Sequence, residues 1–256
     1  MKKLFFLIPF IIPLFACDNI GEDERYIEVE RVESQRRVLL EEFTGQRCTN
    51  CPAAHAIIEK LEEQYGEDLI VVSIHAGSFG IEAPDGLMQP EGNTYAAKWG
   101  VSAYPCGVVD RNSGVLTDNE WATAIRNDIV KETNVSLDLE ASLSPSGDMI
   151  DISTTLLSSG NVSGNLQLWI TEDEIVGFQI DGSQRLQDYV HNNVFRTCAN
   201  GTWGEPVSLA ANVYDIVENS VLVDGLWNVD HLNVVGFVYN DSGVVQVAKC
   251  KVKTTD

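Results

Sequence analysis

Cys48 and Cys51 stand three residues apart in the stretch "EEFTGQRCTNCPAAH", residues 41–55. Two thiols at this spacing can close a small disulfide ring, clamp a metal ion or cycle as a redox pair. A thiolate, not a thiol, attacks a disulfide, and the first turn of a helix stabilises a thiolate through its unpaired N–H groups and positive dipole end. The motif lies where such a turn is expected. The strand signal "RRVLLEEF" precedes it, and apolar residues at helical spacing follow it (Ala54, Ile57, Ile58, Leu61, Tyr65) until Gly66 stops the run. In this reading Cys48 attacks, and Cys51, one turn further in, resolves the mixed disulfide. Glu42, on the preceding strand, sits behind both and can accept and return the proton of Cys51. Glu41 and Glu42 point to opposite faces of that strand. One of them is expected to face solvent, and Glu42 to be the inner one.

Two other chemistries fit the same residues. Cys48, Cys51 and His55 share one helix face, Cys106 can approach from the loop at Pro105, and His75 ends the neighbouring strand. Sulfur with imidazole suits copper(I) or zinc. The pair can also be a purely structural disulfide. Haem attachment is excluded, because Pro52 rather than histidine follows the second cysteine. The plain reading of His55 is a helix surface residue, and that of His75 a strand-end core residue.

The elements that position these residues change character along the chain. Residues 37–133 alternate strand and helix signals: "DLIVVSIHA" reads as a buried strand, "EGNTYAAKWG" as a short helix, "PCGVVDRNSGVL" as two strands about a turn, and "TDNEWATAIRNDIVKE" as a helix capped by Asp118. Such alternation predicts an α/β layer with crossover helices. Residues 134–256 instead alternate apolar and polar side chains, as in "VSLDLEASL" and "DMIDISTTLLS", with turn signals such as "SPSGD" between them. About seven strands and no helix predict an antiparallel, immunoglobulin-like β-sandwich. "YVHNNVFRTCANGTWGE" interrupts this pattern and reads as a long covering loop, with His191, Arg196 and Trp203 as a candidate recognition surface.

The N-terminus sets the compartment. Lys2 and Lys3 precede the apolar run "LFFLIPFIIPLFA", which is too short to span a bilayer stably and carries Pro9 and Pro13. It ends in "LFAC", which resembles the lipobox of bacterial lipoproteins. That resemblance implies a signal peptide over 1–16 and lipidation of Cys17. Residues 17–36 are acidic, lack an apolar period and read as a solvated tether. The formal charge of the whole sequence is -21. A surface this acidic repels nucleic acid, so nucleic-acid binding is a poor hypothesis. Six cysteines are present. With Cys17 lipidated, five remain in an oxidising compartment. Cys198 and Cys250 are expected to form a structural disulfide within the β region, leaving Cys106 as an accessory thiol.

"VLLEEFTGQRCTNCPAAH" resembles the first strand, active-site loop and first helix of the thioredoxin fold. "KWGVSAYPCGVVD" resembles the stretch of that family in which a cis-proline faces the dithiol. The resemblance covers about residues 37–131. It implies a thioredoxin-like domain with Glu42 as the buried acid, Cys48 and Cys51 as nucleophile and resolver, and a cis bond before Pro105. Arg47 replaces the family's usual tryptophan, and Thr49-Asn50 its usual Gly-Pro. The lipobox, the acidic tether, "EEFTGQRCTNCPAAH" and a β region containing "YVHNNVFRTCANGTWGE" together resemble the outer membrane protein 28-related lipoprotein family over nearly the whole chain. The expectation is therefore a lipid-anchored envelope protein of a Gram-negative outer membrane, on its periplasmic face or the cell surface. It would exchange disulfides with envelope protein thiols, need no cofactor, and use its β region to engage a protein partner. The alternatives are a non-catalytic binding or assembly lipoprotein and a copper- or zinc-binding protein.

Overall fold

The computed structural model describes residues 36–254. The segment read as a signal peptide, Cys17 and the segment read as a tether, up to residue 35, lie outside the described residues. Strand β1 (Val38–Thr44) leads through helix α1 (Cys51–Tyr65) to strand β2 (Leu69–His75), and the two strands pair in parallel. Both are buried at every position, as strands covered on two faces are. Helix α1 buries Ala54, Ile57, Ile58, Leu61 and Tyr65. Helix α2 (Pro90–Trp99) stops at Gly100, whose left-handed backbone lets its N–H reach the carbonyls of Ala96 and Ala97. Strand β3 (Cys106–Val109) pairs antiparallel with β1. Helix α3 (Trp121–Ile129) follows a 3-10 turn whose cap is Thr117, in a capping box with Glu120, rather than Asp118.

The expected architecture, an α/β thioredoxin-like domain followed by an immunoglobulin-like sandwich, is not what forms. The chain is mostly β with few helices and is built as stacked sheets in a sandwich-like arrangement. Strands β3, β1 and β2 continue through β9 (Val194–Cys198) into β6 (Val162–Glu172), β12 (Leu232–Asn240) and β13 (Gly243–Lys251). The sheet order is β13-β12-β6-β9-β2-β1-β3, and β10 (Glu205–Leu209) pairs with the first half of β6. The splice is β9, which lies in the segment read as a loop. The Ser73 amide on the outer edge of β2 donates to the Asn193 carbonyl, and Ser73 pairs with Val194. A buried strand edge must satisfy its amides, and β9 does so here. A second sheet holds β11 (Tyr214–Leu222), β5 (Met149–Ser158) and β4 (Val135–Leu143), in that order. A separate hairpin consists of β7 (Ile175–Asp181) and β8 (Gln184–His191).

Three apolar layers hold the stack together. Helices α1 and α3 cover Val38, Leu40, Val71 and Val109. On the other face of β1 and β2, Leu39, Phe43, Ile70, Val72 and Ile74 meet Trp169, Phe195, Phe237 and Val247 from the far end of the same curled sheet. The opposite side of β6 and β12 buries Leu168, Ile170, Val234 and Val238 against Leu137, Ile152 and Leu156 of the second sheet. Arg36, read as the end of the solvated tether, is buried. It pairs with Asp110 at 2.8 Å and donates to the Val244 carbonyl.

Because β1 is covered on both sides, Glu41 and Glu42 are both fully buried, and neither faces solvent. Glu41 enters the inter-sheet layer. The Arg111 guanidinium donates to it through Nε, and the Trp99 indole N–H donates at 3.2 Å. The Arg111 guanidinium also lies 4.4 Å from the Tyr239 ring centroid and 4.6 Å from that of Phe237. Removing one member of such a pair leaves an uncompensated buried charge, at a cost of about 3–5 kcal/mol. Arg111→Met is expected to lower the unfolding free energy by about that amount in denaturant titrations. Adding Glu41→Gln is expected to recover part of the loss.

Candidate functional site

Cys48 and Cys51 are joined as a disulfide with their Cα atoms 5.5 Å apart. Cys51 is the first residue of α1, and Cys48 lies in the turn before it. No acidic residue occupies the first turn of α1, so the positive end of the helix is not offset locally. Gly45 makes the turn possible. A Cβ there would meet the Phe79 backbone at 2.5 Å, and that close approach lets the Arg47 amide bond the Phe79 carbonyl at 2.9 Å.

Glu42 lies on the helix-covered face of β1, opposite Gly107 of β3. It has no solvent exposure, and neither carboxylate oxygen has a hydrogen-bond partner among the described residues. Beside it, at 3.5 Å from Oε1, is Nε2 of His55. His55 follows Cys51 by four residues, so the two side chains share a helix face. The same nitrogen lies 3.0 Å from Thr44 Oγ1, and Nδ1 lies 2.7 Å from the Tyr189 hydroxyl. The sequence thus brings Glu42 and His55 together, with Cys51 one helical turn from His55.

The disulfide is covered. Cys48 is 2% exposed and Cys51 not at all. The cover is the β7–β8 hairpin, whose edge binds the disulfide loop almost as a third strand. The Ile180 amide donates to the Gln46 carbonyl at 2.9 Å, Gly182 to Thr49 at 3.0 Å, and the Gln179 amide side chain to the Cys48 carbonyl at 3.0 Å. Gln46 returns a bond to the Phe178 carbonyl at 3.1 Å. Sequence reasoning missed Gln46, Gln179 and Tyr189. The one available signal was that Tyr189 and His191 alternate onto one strand face.

The remaining candidates fall elsewhere. The Tyr104–Pro105 bond is cis, as expected. Cys106 is a free thiol in the inter-sheet layer with Phe43, on the face of β1 opposite Glu42. Burial pushes it up to about 12, and the Glu42 charge adds to that. The disulfide expected between Cys198 and Cys250 does not form; both are free. Cys198 packs in the inter-sheet layer, where Tyr95 Oη lies 3.0 Å from its sulfur. Cys250 packs in the layer on the other side of the sheet, three strands further along. Neither that separation nor the opposed faces allow a bridge. Arg196 is buried in an ion pair with Glu172 at 2.9 Å, His191 is buried, and Trp203 packs edge-on against Tyr95. They do not form one recognition surface. No group of three or more His, Cys, Asp or Glu side chains is arranged to hold a metal among the described residues.

These features meet comparisons with known proteins. The family model for outer membrane protein Omp28 matches residues 92–256, more than half of the sequence. The chain belongs to the Omp28 family. Its location is that of the family, the outer membrane of a Gram-negative cell. The match begins inside α2, so the disulfide segment lies outside it. Among solved structures, HBP35 of Porphyromonas gingivalis shares the fold at a TM-score of 0.67 and 15% identity, over 87% of this chain and 77% of that one. A protein of Agrobacterium tumefaciens aligns at a TM-score of 0.53 and 16% identity, over 88% and 98% of the two chains. A domain of the outer membrane lipoprotein Omp28 of Porphyromonas gingivalis aligns at 0.35 and 18% identity, over 50% of this chain and 94% of that one. No curated protein matches. Among the described residues no helix is long and apolar enough to cross a membrane.

The hairpin packs on histidines held neutral. Burial, then the nearby His55, lower His191 to about 4, against the opposing effect of its hydrogen bond to the Phe178 carbonyl. Burial and the His191 charge hold His75 well below the ordinary imidazole range. An unfolded chain takes up these protons near pH 6.5, whereas the folded one resists until near pH 4 for His191. Stability is therefore full above pH 6.5 and falls as the pH drops through that window. For His191 alone the loss between pH 7 and pH 5 is about 2 kcal/mol. Denaturant titrations at the two pH values are expected to show a smaller acid loss in His191→Gln than in the parent.

Proposed function

We propose that the Cys48–Cys51 pair is a thiol–disulfide exchange centre acting on envelope proteins, on a chain anchored to the outer membrane through lipid on Cys17. The observation that carries this reading is Glu42. A structural disulfide needs no neighbouring charge, and a buried carboxylate without hydrogen bonds is costly to maintain. Such a group lies on the strand under α1, 3.5 Å from His55 and so one helical turn from Cys51, and is placed to handle the proton of the leaving thiol.

The exchange balances with a partner dithiol. A partner thiolate attacks Sγ of Cys48, the residue that lies outside α1. The Cys48–Cys51 bond breaks, and its electron pair stays on Cys51 Sγ at the start of α1. Glu42, where it enters this step as the carboxylic acid, gives its proton to that thiolate. The second partner thiolate then displaces Cys48, leaving the partner oxidised and this protein as a dithiol; the reverse sequence reduces a partner disulfide. Arg47, directly before Cys48, and Pro105, directly before β3, would shape the approach of a polypeptide. The mostly β remainder would present a protein-binding surface.

One observation favours a second reading, in which the disulfide only staples the loop and the protein is a binding or assembly lipoprotein. Both sulfurs are covered by a hydrogen-bonded hairpin. Equilibrating the protein with glutathione buffers separates the two. An exchange centre opens within the potential range of the envelope thiol pool, and Cys51→Ala accumulates mixed disulfides through Cys48 that Cys48→Ala does not. A disulfide that stays closed in those buffers, with no adducts in Cys51→Ala, would leave the stapling role.

A further inference from the structure

We propose that His55 and Tyr189 form a proton path between Glu42 and solvent, with Tyr189 as the positioning residue that orients the imidazole. This rests on the reading that the Cys48–Cys51 pair exchanges disulfides. Glu42 has no solvent exposure, so a proton it gives to Cys51 must be replaced through a neighbour. That neighbour is His55, 3.5 Å away through Nε2, while its other ring nitrogen meets the Tyr189 hydroxyl at 2.7 Å.

The surroundings suit a relay. The charged and titratable groups around His55 are Glu42 from β1, His75 from β2, Tyr189 and His191 from β8, and Glu59 and Glu62 on α1 itself. The two other histidines are held neutral, so they place no positive charge beside His55 at neutral pH. Burial raises Tyr189 well above the ordinary phenol range, and its hydroxyl stays protonated. It therefore donates to Nδ1, which leaves the Nε2 proton directed at Thr44 and Glu42. A small cavity of about 30 Å³ lies beside His55 and Tyr189, walled by His75, His191 and Asn193. That volume holds about two waters.

The steps balance. When Cys51 leaves as a thiolate it takes the proton of Glu42. The His55 Nε2 proton replaces it, and Nδ1 takes a proton from the Tyr189 hydroxyl, which is refilled from solvent through the cavity. Disulfide formation runs the same transfers backwards. The arrangement also tolerates an opening hairpin. Ile180 and Gly182, which hold the cover over Cys48, are at the hairpin's turn, whereas Tyr189 is near its base next to buried His191.

The test is the rate at which dithiothreitol opens the Cys48–Cys51 disulfide between pH 5.5 and 9. It is read by acid quench and thiol alkylation in the parent, Tyr189→Phe and His55→Gln. Amide exchange at Ile180 and Gly182 checks that the hairpin remains in place. The expected result is a loss of tenfold or more in both variants at neutral pH and above. The pH profile should change shape, the equilibrium reduction potential should not move, and imidazole should partly restore the rate in His55→Gly. If the parent opens and the variants keep its profile, or fall by one factor at every pH without imidazole rescue, the relay is overturned and the exchange reading stands. If the parent disulfide never opens, the exchange reading fails and the relay falls with it.

Discussion

The structure depends on one strand being dry on both sides. β1 carries two consecutive carboxylates, and alternation sends Glu41 into the inter-sheet layer and Glu42 toward the helices. Placing an ion in either layer costs several kcal/mol unless it is compensated. The two sites answer that demand differently. Glu41 has Arg111 and the Trp99 indole as partners inside a set of aromatic rings. Glu42 has an imidazole at 3.5 Å and no hydrogen bond among the described residues. The first arrangement is complete and fixes the packing of the layers. The second leaves a proton acceptor with unused capacity directly beneath the disulfide helix. One carboxylate of this dipeptide is thus compensated within its layer, and the other is not.

The same burial explains why the two halves of the chain cannot be described apart. β2 would present an unsatisfied edge if the sheet stopped there, and β9 covers it. Around that junction Asn193 donates to Glu62 of α1 at 2.8 Å and accepts from Lys249 of β13 at 2.9 Å, while Lys249 also pairs with Asp173. Asn193 adopts a left-handed backbone, which asparagine tolerates better than most residues. The hairpin covering the disulfide leaves the sheet at the end of β6 and returns at this residue. The strand that joins the layers and the cover over the site are thus one continuous segment, residues 172–198.

The local parts of the site were legible in the sequence. The turn between "RRVLLEEF" and the helical period predicts a cysteine pair at a strand-to-helix junction, and Gly66 and Gly100 mark helix ends where they occur. Those signals act over a few residues, within the reach of propensity and period. What was not legible depends on which layer an alternating strand faces. Alternation sorts side chains within a strand but does not say what lies above or below it. Hence Glu41 was expected in solvent, and Cys198 and Cys250 were paired although they point into different layers. β9 was hidden in a loop reading because only five residues of it are strand, and its pairing with β2 spans more than a hundred residues of sequence.

The closed hairpin sets the scale on which the site can work. The cover over Cys48 is held at its turn by three bonds, from Ile180, Gly182 and Gln179. At about 0.5–1.5 kcal/mol net for each, lifting the turn costs roughly 2–4 kcal/mol. That corresponds to an open fraction of about one part in thirty to one in a thousand. Exchange with a small reductant would be slowed by that factor without being blocked, and a polypeptide that bonds the freed edges at Gln46 and Thr49 would recover most of the opening cost. A buried disulfide and an exchanging one are therefore compatible in this fold. On the exchange reading, the cover would add a selectivity that an open dithiol lacks, because a partner would gain by replacing the hairpin's hydrogen bonds with its own.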